Sequence, residues 1–133
     1  MGSVSFVIVS HSAKLGEGVC ELLRQLAGPN LHIASASGLE DRLGTDAIKI
    51  AHAIQACPPG SDVVVLFDLG SARLSSEMAL ELVPSAWRER VFMADAPLVE
   101  GAVAAAVEAS IGGSVEAVLA RAADARQLRK LDD

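Results

Sequence analysis

Apolar positions recur along the chain with two different periods, and the switches between them mark the elements. A short β-branched run from Val4 to Val9 stops at a polar cluster, Ser10-His11-Ser12. The spacing then becomes helical: Leu15, Val19, Leu22, Leu23 and Leu26 fall on one predicted face, with Glu17, Glu21 and Arg24 off it. Gly28-Pro29-Asn30 breaks that helix. Leu31 to Ala36 reads as a second short strand, and a polar loop follows from Ser37 to Gly44. Thr45 is expected to cap a helix over about 46–57, which Pro58-Pro59-Gly60 closes. Asp62 to Phe67 is the most apolar strand, with Val63, Val64, Val65 and Leu66 unbroken, as in strands buried on both faces. Asp68-Leu69-Gly70-Ser71 leads into a helix reaching about Val83, and Arg90 to Ala94 predicts a fourth strand. Pro97 opens a helix to about Ser110, and a last helix covers about Val115 to Arg126. The closing stretch, Leu128 to Asp133, is expected to be frayed and solvated. Strands alternate with helices throughout, which implies an α/β fold: an open parallel sheet with helices on both faces.

Composition narrows this picture. The 133 residues are expected to form one domain over 1–133, with a core of its own. Hydrophobic residues make up 51% but aromatics only 3%, so that core must be built from Val, Leu, Ile and much Ala, as when helices pack tightly on a small sheet. A formal charge of −6 excludes nucleic acid as a partner, since neutralising phosphates needs clustered Lys and Arg; a protein with a basic face fits better. Cys20 and Cys57 lie in helical segments and read as small buried hydrophobes of a reducing compartment. No stretch reaches the roughly 18 apolar residues of a membrane span, and no leader pattern or myristoylation signal fits the first residues, so a cytoplasmic protein is expected.

In open α/β sheets the ligand crevice forms at the carboxyl ends of the strands, where the strand order reverses. His11 stands at that end of the first strand and Asp68 at that end of the third. Gly70 and Ser71 open one helix beside them, and Gly44 and Thr45 precede another. If the first and third strands are neighbours, an imidazole, a carboxylate and two helix N-termini converge. These parts suit phosphoryl transfer through histidine. A neutral imidazole, which titrates near 6.5 when unperturbed, is a nucleophile if one ring nitrogen keeps its proton and the other presents a lone pair. A carboxylate accepting the N–H fixes that tautomer, and free amides at a helix N-terminus bind the transferred anion. Taken singly, His11 also reads as a surface loop residue and Asp68 as a helix cap; only their joint placement points to chemistry. His52 belongs to a solvated helical stripe, and His32 to the surface or a sheet edge.

Other chemistries lack their parts. There is no Gly-x-x-x-x-Gly-Lys-Ser/Thr loop for nucleotide, the lone Gly16-x-Gly18 has no third glycine, and no second His or Cys stands at metal-ligand spacing. No cofactor and no metal are therefore expected. A histidine phosphatase calls for Arg where Ser10 stands, and a receiver domain for acidic residues after the first strand.

Several stretches together resemble the mannose-type enzyme IIA family of the bacterial phosphotransferase system, and within it the phosphotransferase subunits of dihydroxyacetone kinases. They are Val9-Ser10-His11-Ser12, Leu15-Gly16-Glu17-Gly18-Val19, Gly44-Thr45-Asp46-Ala47, Asp68-Leu69-Gly70-Ser71-Ala72, Ser76-Glu77 with Ala79-Leu80-Glu81-Leu82, and Ala96-Pro97-Leu98-Val99-Glu100-Gly101. The resemblance implies a four-stranded parallel sheet of order 2-1-3-4 and a homodimer. It implies a phosphotransferase in which His11 is phosphorylated by the histidine phosphocarrier protein HPr, with Asp68 as its partner and Gly44, Thr45, Gly70 and Ser71 as phosphate-binding loops. The implied acceptor is ADP on the nucleotide-binding subunit of dihydroxyacetone kinase. The alternatives are an enzyme IIA component of a mannose-type sugar transporter, a regulatory phosphoacceptor, or an interaction module that does not use the histidine. The compact Asp68-Leu69-Gly70-Ser71 loop favours the kinase subunit, since transporter members carry a longer one. Leu15, Leu69 and Leu98 are expected to form an apolar rim around His11 on which partners dock.

Overall fold

A parallel sheet buried on both faces sets the architecture of residues 3–131, the part that the computed structural model describes. Its two inner strands are β1 (Val4–Val9), buried along its whole length, and β3 (Asp62–Phe67), whose four central residues are buried. They pair in parallel from Val4↔Asp62 to Val9↔Phe67. The edge strands are shorter than their apolar runs predicted: β2 (Ile33–Ser35) flanks β1, and β4 (Val91–Met93) flanks β3. The order is β2-β1-β3-β4, as the resemblance implied. Around the sheet lie α1 (Ala13–Ala27), α2 (Ala47–Gln55), α3 (Gly70–Leu82), the single turn α4 (Ser85–Arg88), α5 (Leu98–Ser110) and α6 (Val115–Asp124). The turn α4 is an element that the sequence did not predict, and the last helix ends two residues early, finishing as a 3-10 turn at Ala125–Gln127.

Alternation along β1 and β3 supplies both cores. Phe6, Ile8, Val64 and Leu66 pack against Val19, Cys20 and Leu23 of α1, the alanines of α5, and Val118 of α6. Val7, Val9, Val63 and Val65 face Ile50 and Ile54 of α2 and Ala72 and Ala79 of α3. The abundant alanine does what the composition foretold: Ala102, Ala105, Ala106 and Ala122 are fully buried and let α5 and α6 approach each other and the sheet closely. Cys20 and Cys57 are buried, and burial pushes both thiols up to about 11, which keeps them protonated and inert near neutral pH.

The predicted face of α1 is corrected. Its buried residues are Gly16, Val19, Cys20 and Leu23, while Leu15, Leu22 and Leu26 are 43%, 43% and 55% exposed. The leucine pattern misled because the close contact is made by small residues: a Cβ at Gly16 would collide with the side chain of Ser37 and lie 2.6 Å from Ser35 Oγ. The cap of α2 is also corrected, from Thr45 to Asp46, whose extended backbone lets its carboxylate accept the Ile48 amide at 2.9 Å. His52 is exposed; His32 is half-buried beside the edge strand, with a buried Nε2 that meets no partner among the described residues. Leu128 to Leu131 are exposed, and the last two residues of the expected frayed end, like the first two of the chain, lie outside the described residues. Among the described residues no helix is long and apolar enough to cross a membrane.

Adjacent leucines of α1 provide the test of this packing. Leu23→Ala, at a fully buried site, should destabilise the protein by roughly 2–5 kcal/mol. Leu22→Ala, at an exposed one, should stay within about 0.5 kcal/mol of the parent. Urea denaturation measures both, and equal effects would contradict the observed helix face.

Candidate functional site

Because β1 and β3 are parallel neighbours in register, their chains leave the sheet side by side. The Asp68 amide still donates to the Val9 carbonyl at 3.1 Å, one step beyond the last paired strand residue. This places the Asp68 carboxylate directly under the turn that carries His11. His11 Nδ1 lies 2.9 Å from Asp68 Oδ1, and the His11 amide donates to Oδ2 at 2.9 Å. Two further donors complete the shell: the Leu69 amide at 2.6 Å from Oδ1 and the Ser10 hydroxyl at 2.8 Å from Oδ2. Asp68 is therefore no helix cap; the cap position of α3 is Leu69, whose side chain makes no capping bond.

Four donors explain the electrostatics. Burial alone would push the Asp68 carboxyl up. The His11 amide and imidazole, the Leu69 amide and the Ser10 hydroxyl together outweigh it and hold the carboxyl below its ordinary range. An ionised carboxylate only accepts, so the ring nitrogen facing it must be the donor. In the neutral ring His11 thus carries its proton on Nδ1, and Nε2 presents a lone pair. Ser71 Oγ stands 2.7 Å from Nε2 and donates to that lone pair when the ring is neutral. The imidazole keeps 22% of its side-chain surface in solvent, against 12% for Asp68; its contact with Asp68 is half-buried, while its contact with Ser71 is exposed.

Ser71 is the second residue of α3, whose first amides have no acceptor within the helix. Gly70 and Ser71 thus bring backbone donors as well as a hydroxyl to the open side of the ring. Gly44 and Thr45 stand differently. The Gly44 amide is already given to the His11 carbonyl at 2.8 Å, and Thr45 Oγ1 lies 2.5 Å from Ser75 Oγ, one turn along α3 from Ser71. Gly38 adds a second tie, donating to the Ser10 carbonyl at 2.9 Å with φ +72, at a point where a Cβ would meet the Ala13 amide nitrogen at 2.8 Å. The loop after β2 is therefore stitched at both ends to the backbone that carries His11.

Sequence reasoning missed Ser10, Ser37 and Ser75. Ser10 and Ser37 are buried hydroxyls, and a polar residue directly after the apolar run Phe6 to Val9 was the available signal for the first of them. It also misplaced Leu98. Leu15 and Leu69 are 43% and 61% exposed, but Leu98 is 9% exposed and packs in the core with Leu66 and Ala94 as the first residue of α5, so it lines no rim.

Comparison with known proteins identifies the family. Residues 5–119 match the EIIA-man family, described as the PTS system fructose IIA component. A Listeria innocua protein, the phosphoryl donor subunit DhaM of PEP-dependent dihydroxyacetone kinase 2, is 46% identical over 105 residues, covering 78% of this chain and 84% of that one. The DhaM phosphoryl donor subunit of Pantoea ananatis is 51% identical over 108 residues; the match covers 78% of this chain but 23% of that longer protein. Among solved structures, a protein of unknown function, EF1359, superposes with a TM-score of 0.85 at 33% identity over 93% of this chain and 95% of that one. The mannose/sorbose-specific IIA subunit from Enterococcus faecalis shares the fold, with a TM-score of 0.60 at 15% identity over 100% of this chain and 97% of that one. The chain belongs to the mannose-type enzyme IIA family of the phosphotransferase system and, within it, to the DhaM phosphoryl donor subunits.

Proposed function

We propose that this chain, acting as one carrier domain in the cytoplasm, receives a phosphoryl group on His11 Nε2 from HPr and passes it to ADP held by the nucleotide-binding subunit of a dihydroxyacetone kinase. The observation that carries the reading is the two-sided hold on His11, Nδ1 on Asp68 and Nε2 on Ser71 at the start of α3. In the charging step the Nε2 lone pair attacks phosphorus, the N–P bond to His11 forms, and the bond to the donor breaks with its electron pair returning to the donor. The Nδ1 proton stays on the ring, and the positive charge that develops there faces the Asp68 carboxylate. The Ser71 hydroxyl loses its acceptor as Nε2 becomes bonded, and turns to a phosphoryl oxygen. The Gly70 and Ser71 amides add donors at the helix N-terminus, where anions are favoured. Discharge reverses these movements and leaves the ring neutral.

In this reading Gly70 and Ser71 hold the phosphoryl group, while Gly44, whose amide is given to the His11 carbonyl, and Thr45, whose hydroxyl is bonded to that of Ser75, fix the loop around it. The DhaM names of the relatives support the kinase assignment over a sugar transporter. A homodimer is the proposed state; the exposed stripe Leu74, Met78 and Leu82 along α3 supports a protein interface.

Incubation with phosphoenolpyruvate, enzyme I and HPr should add one phosphoryl group, and nitrogen-15 spectra should place it on Nε2. His11→Ala should take up none, while His32→Ala and His52→Ala label fully; label in His11→Ala would refute the assignment. Nucleotide-loaded kinase subunit should then discharge the protein, and failure to do so would move the reading to the transporter or regulatory alternative.

Asp68→Ala should slow charging by about 100- to 10,000-fold, the range for a positioned proton partner, with the fold intact by circular dichroism.

The lowered Asp68 carboxyl also makes a pH-dependent contribution to stability. It is fully present above the unfolded value near 3.9 and disappears as pH falls through the lower folded value. The stability lost on Asp68→Asn should accordingly be larger at pH 7 than at pH 3 in urea titrations; equal losses at both would show that the charged carboxylate contributes nothing.

A further inference from the structure

Behind the His11–Asp68 pair lies a chain of serines that the mechanism above does not use. Ser10 directly follows β1 and is fully buried. Its hydroxyl lies 2.8 Å from Asp68 Oδ2 and 3.0 Å from the Ser12 amide nitrogen. A hydroxyl has one proton, and the amide can only donate, so that proton goes to the carboxylate. The Ser10 amide in turn donates to Ser37 Oγ at 2.9 Å. Ser37 gives its own proton to the Ile8 carbonyl at 3.2 Å and accepts the Ser35 hydroxyl at 2.8 Å. The Lys49 ammonium fixes the Ser37 carbonyl at 2.9 Å. Above Ser37 the helix α1 crosses at Gly16, where there is no room for a Cβ.

The carboxylate needs such a support. The torsion that sets the plane of an Asp carboxylate is broad, so rotamer preference does not aim Oδ1 at an imidazole. The Leu69 amide on Oδ1 belongs to the peptide joined to Asp68 and moves with it, so the His11 amide on Oδ2 is the one backbone donor that reaches the carboxylate from another strand end, and alone it permits swing about its own axis. A second donor on the same oxygen, approaching from Ser10, fixes the plane. We propose that Ser10 is a positioning residue of the phosphoryl carrier: its hydroxyl locks the Asp68 carboxylate in the orientation that keeps the His11 proton on Nδ1 and the lone pair on Nε2. Ser37 and Gly16 act one step further back by holding Ser10. This inference rests on the reading of His11 as the phosphoacceptor, yet its primary observable, the tautomer of the unphosphorylated ring, does not require that reading.

The test compares Ser10→Ala and Ser10→Thr with the parent protein. In long-range proton–nitrogen spectra of histidine-labelled protein, the parent should show His11 as the Nδ1–H tautomer. Ser10→Ala should add a population protonated on Nε2, and Ser10→Thr, which keeps the hydroxyl, should restore the parent pattern. Charging by phosphorylated HPr should fall about 10- to 100-fold in Ser10→Ala at saturating HPr, the usual range for an outer partner of a functional imidazole. The half-saturating concentration should stay unchanged, as for a group acting on the transition state rather than on docking. Should Ser10→Ala not fold, Ser10→Cys, of the same shape with a weak donor, is read the same way. A parent-like tautomer in Ser10→Ala or Ser10→Cys overturns the proposal whatever the charging rate. A parent that takes no phosphate on His11 overturns the carrier reading instead, and leaves the tautomer comparison to decide the role of Ser10.

Discussion

The contact of His11 Nδ1 with Asp68 Oδ1 joins residues 57 apart in the chain, and most of the fold can be read as the set of conditions under which it exists. Two strands must leave the sheet together, which requires β1 and β3 to be parallel neighbours ending in register at Val9 and Phe67. Parallel neighbours need crossovers, and crossovers put helices on both faces. Both inner strands are then dry, which explains why Val7, Val9, Val63 and Val65 are as fully buried as Phe6, Ile8, Val64 and Leu66. The contact in turn needs a carboxylate that is enclosed yet charged, and that is costly unless its lone pairs are filled. The site fills them with three donor groups from the first turn and one from the second: the Ser10 hydroxyl, the amide and ring of His11, and the amide of Leu69.

Such saturation has a chemical consequence. A carboxylate with four donors is a poor base, so it leaves the Nδ1 proton on the ring even when the ring becomes electron-poor. It remains a full negative charge beside the ring, which favours a cationic imidazole. Asp68 holds the Nδ1 side of the ring in a half-buried contact, and the Nε2 side meets the exposed Ser71 hydroxyl.

The sequence showed the dry strands and the position of His11 and Asp68 because both follow from local signals: unbroken apolar runs, and polar residues at their carboxyl ends. Errors fell where a choice depends on what lies across the fold. In α1 the spacing rightly puts Val19 and Leu23 in the core but wrongly adds Leu15, Leu22 and Leu26, because the Ser35 and Ser37 side chains come so close that glycine, at Gly16, is what fits there. Thr45 and Asp46 are both good caps; the extended backbone at Asp46 decides between them, and Thr45 is taken by Ser75 on another helix. Leu98 looked free because it opens a helix, yet that helix lies flat on Leu66 and Ala94. Ser10 showed only as a polar residue at a strand end, and its partner Asp68 lies 58 residues away.

The serine chain gives this last point a structural sense. A nucleophile on a loop is only as well aimed as the loop, and loops are the mobile part of most folds. Here the turn Ser10-His11-Ser12 is held from three directions: by Asp68 from β3, by Ser37 and Gly38 from the loop after β2, and by Gly44 at the far end of that loop. Most of these bonds use backbone groups of the turn or side chains with no charge. They set its geometry without adding charge to the ring's surroundings, and leave Asp68 as the carboxylate that faces the imidazole. Orientation and electrostatics are thereby separated: hydroxyls and amides decide where the ring points, and one carboxylate decides which nitrogen bears the proton. A single carboxylate on a flexible loop would have to do both, and the tautomer of the ring would then vary with every movement of the loop.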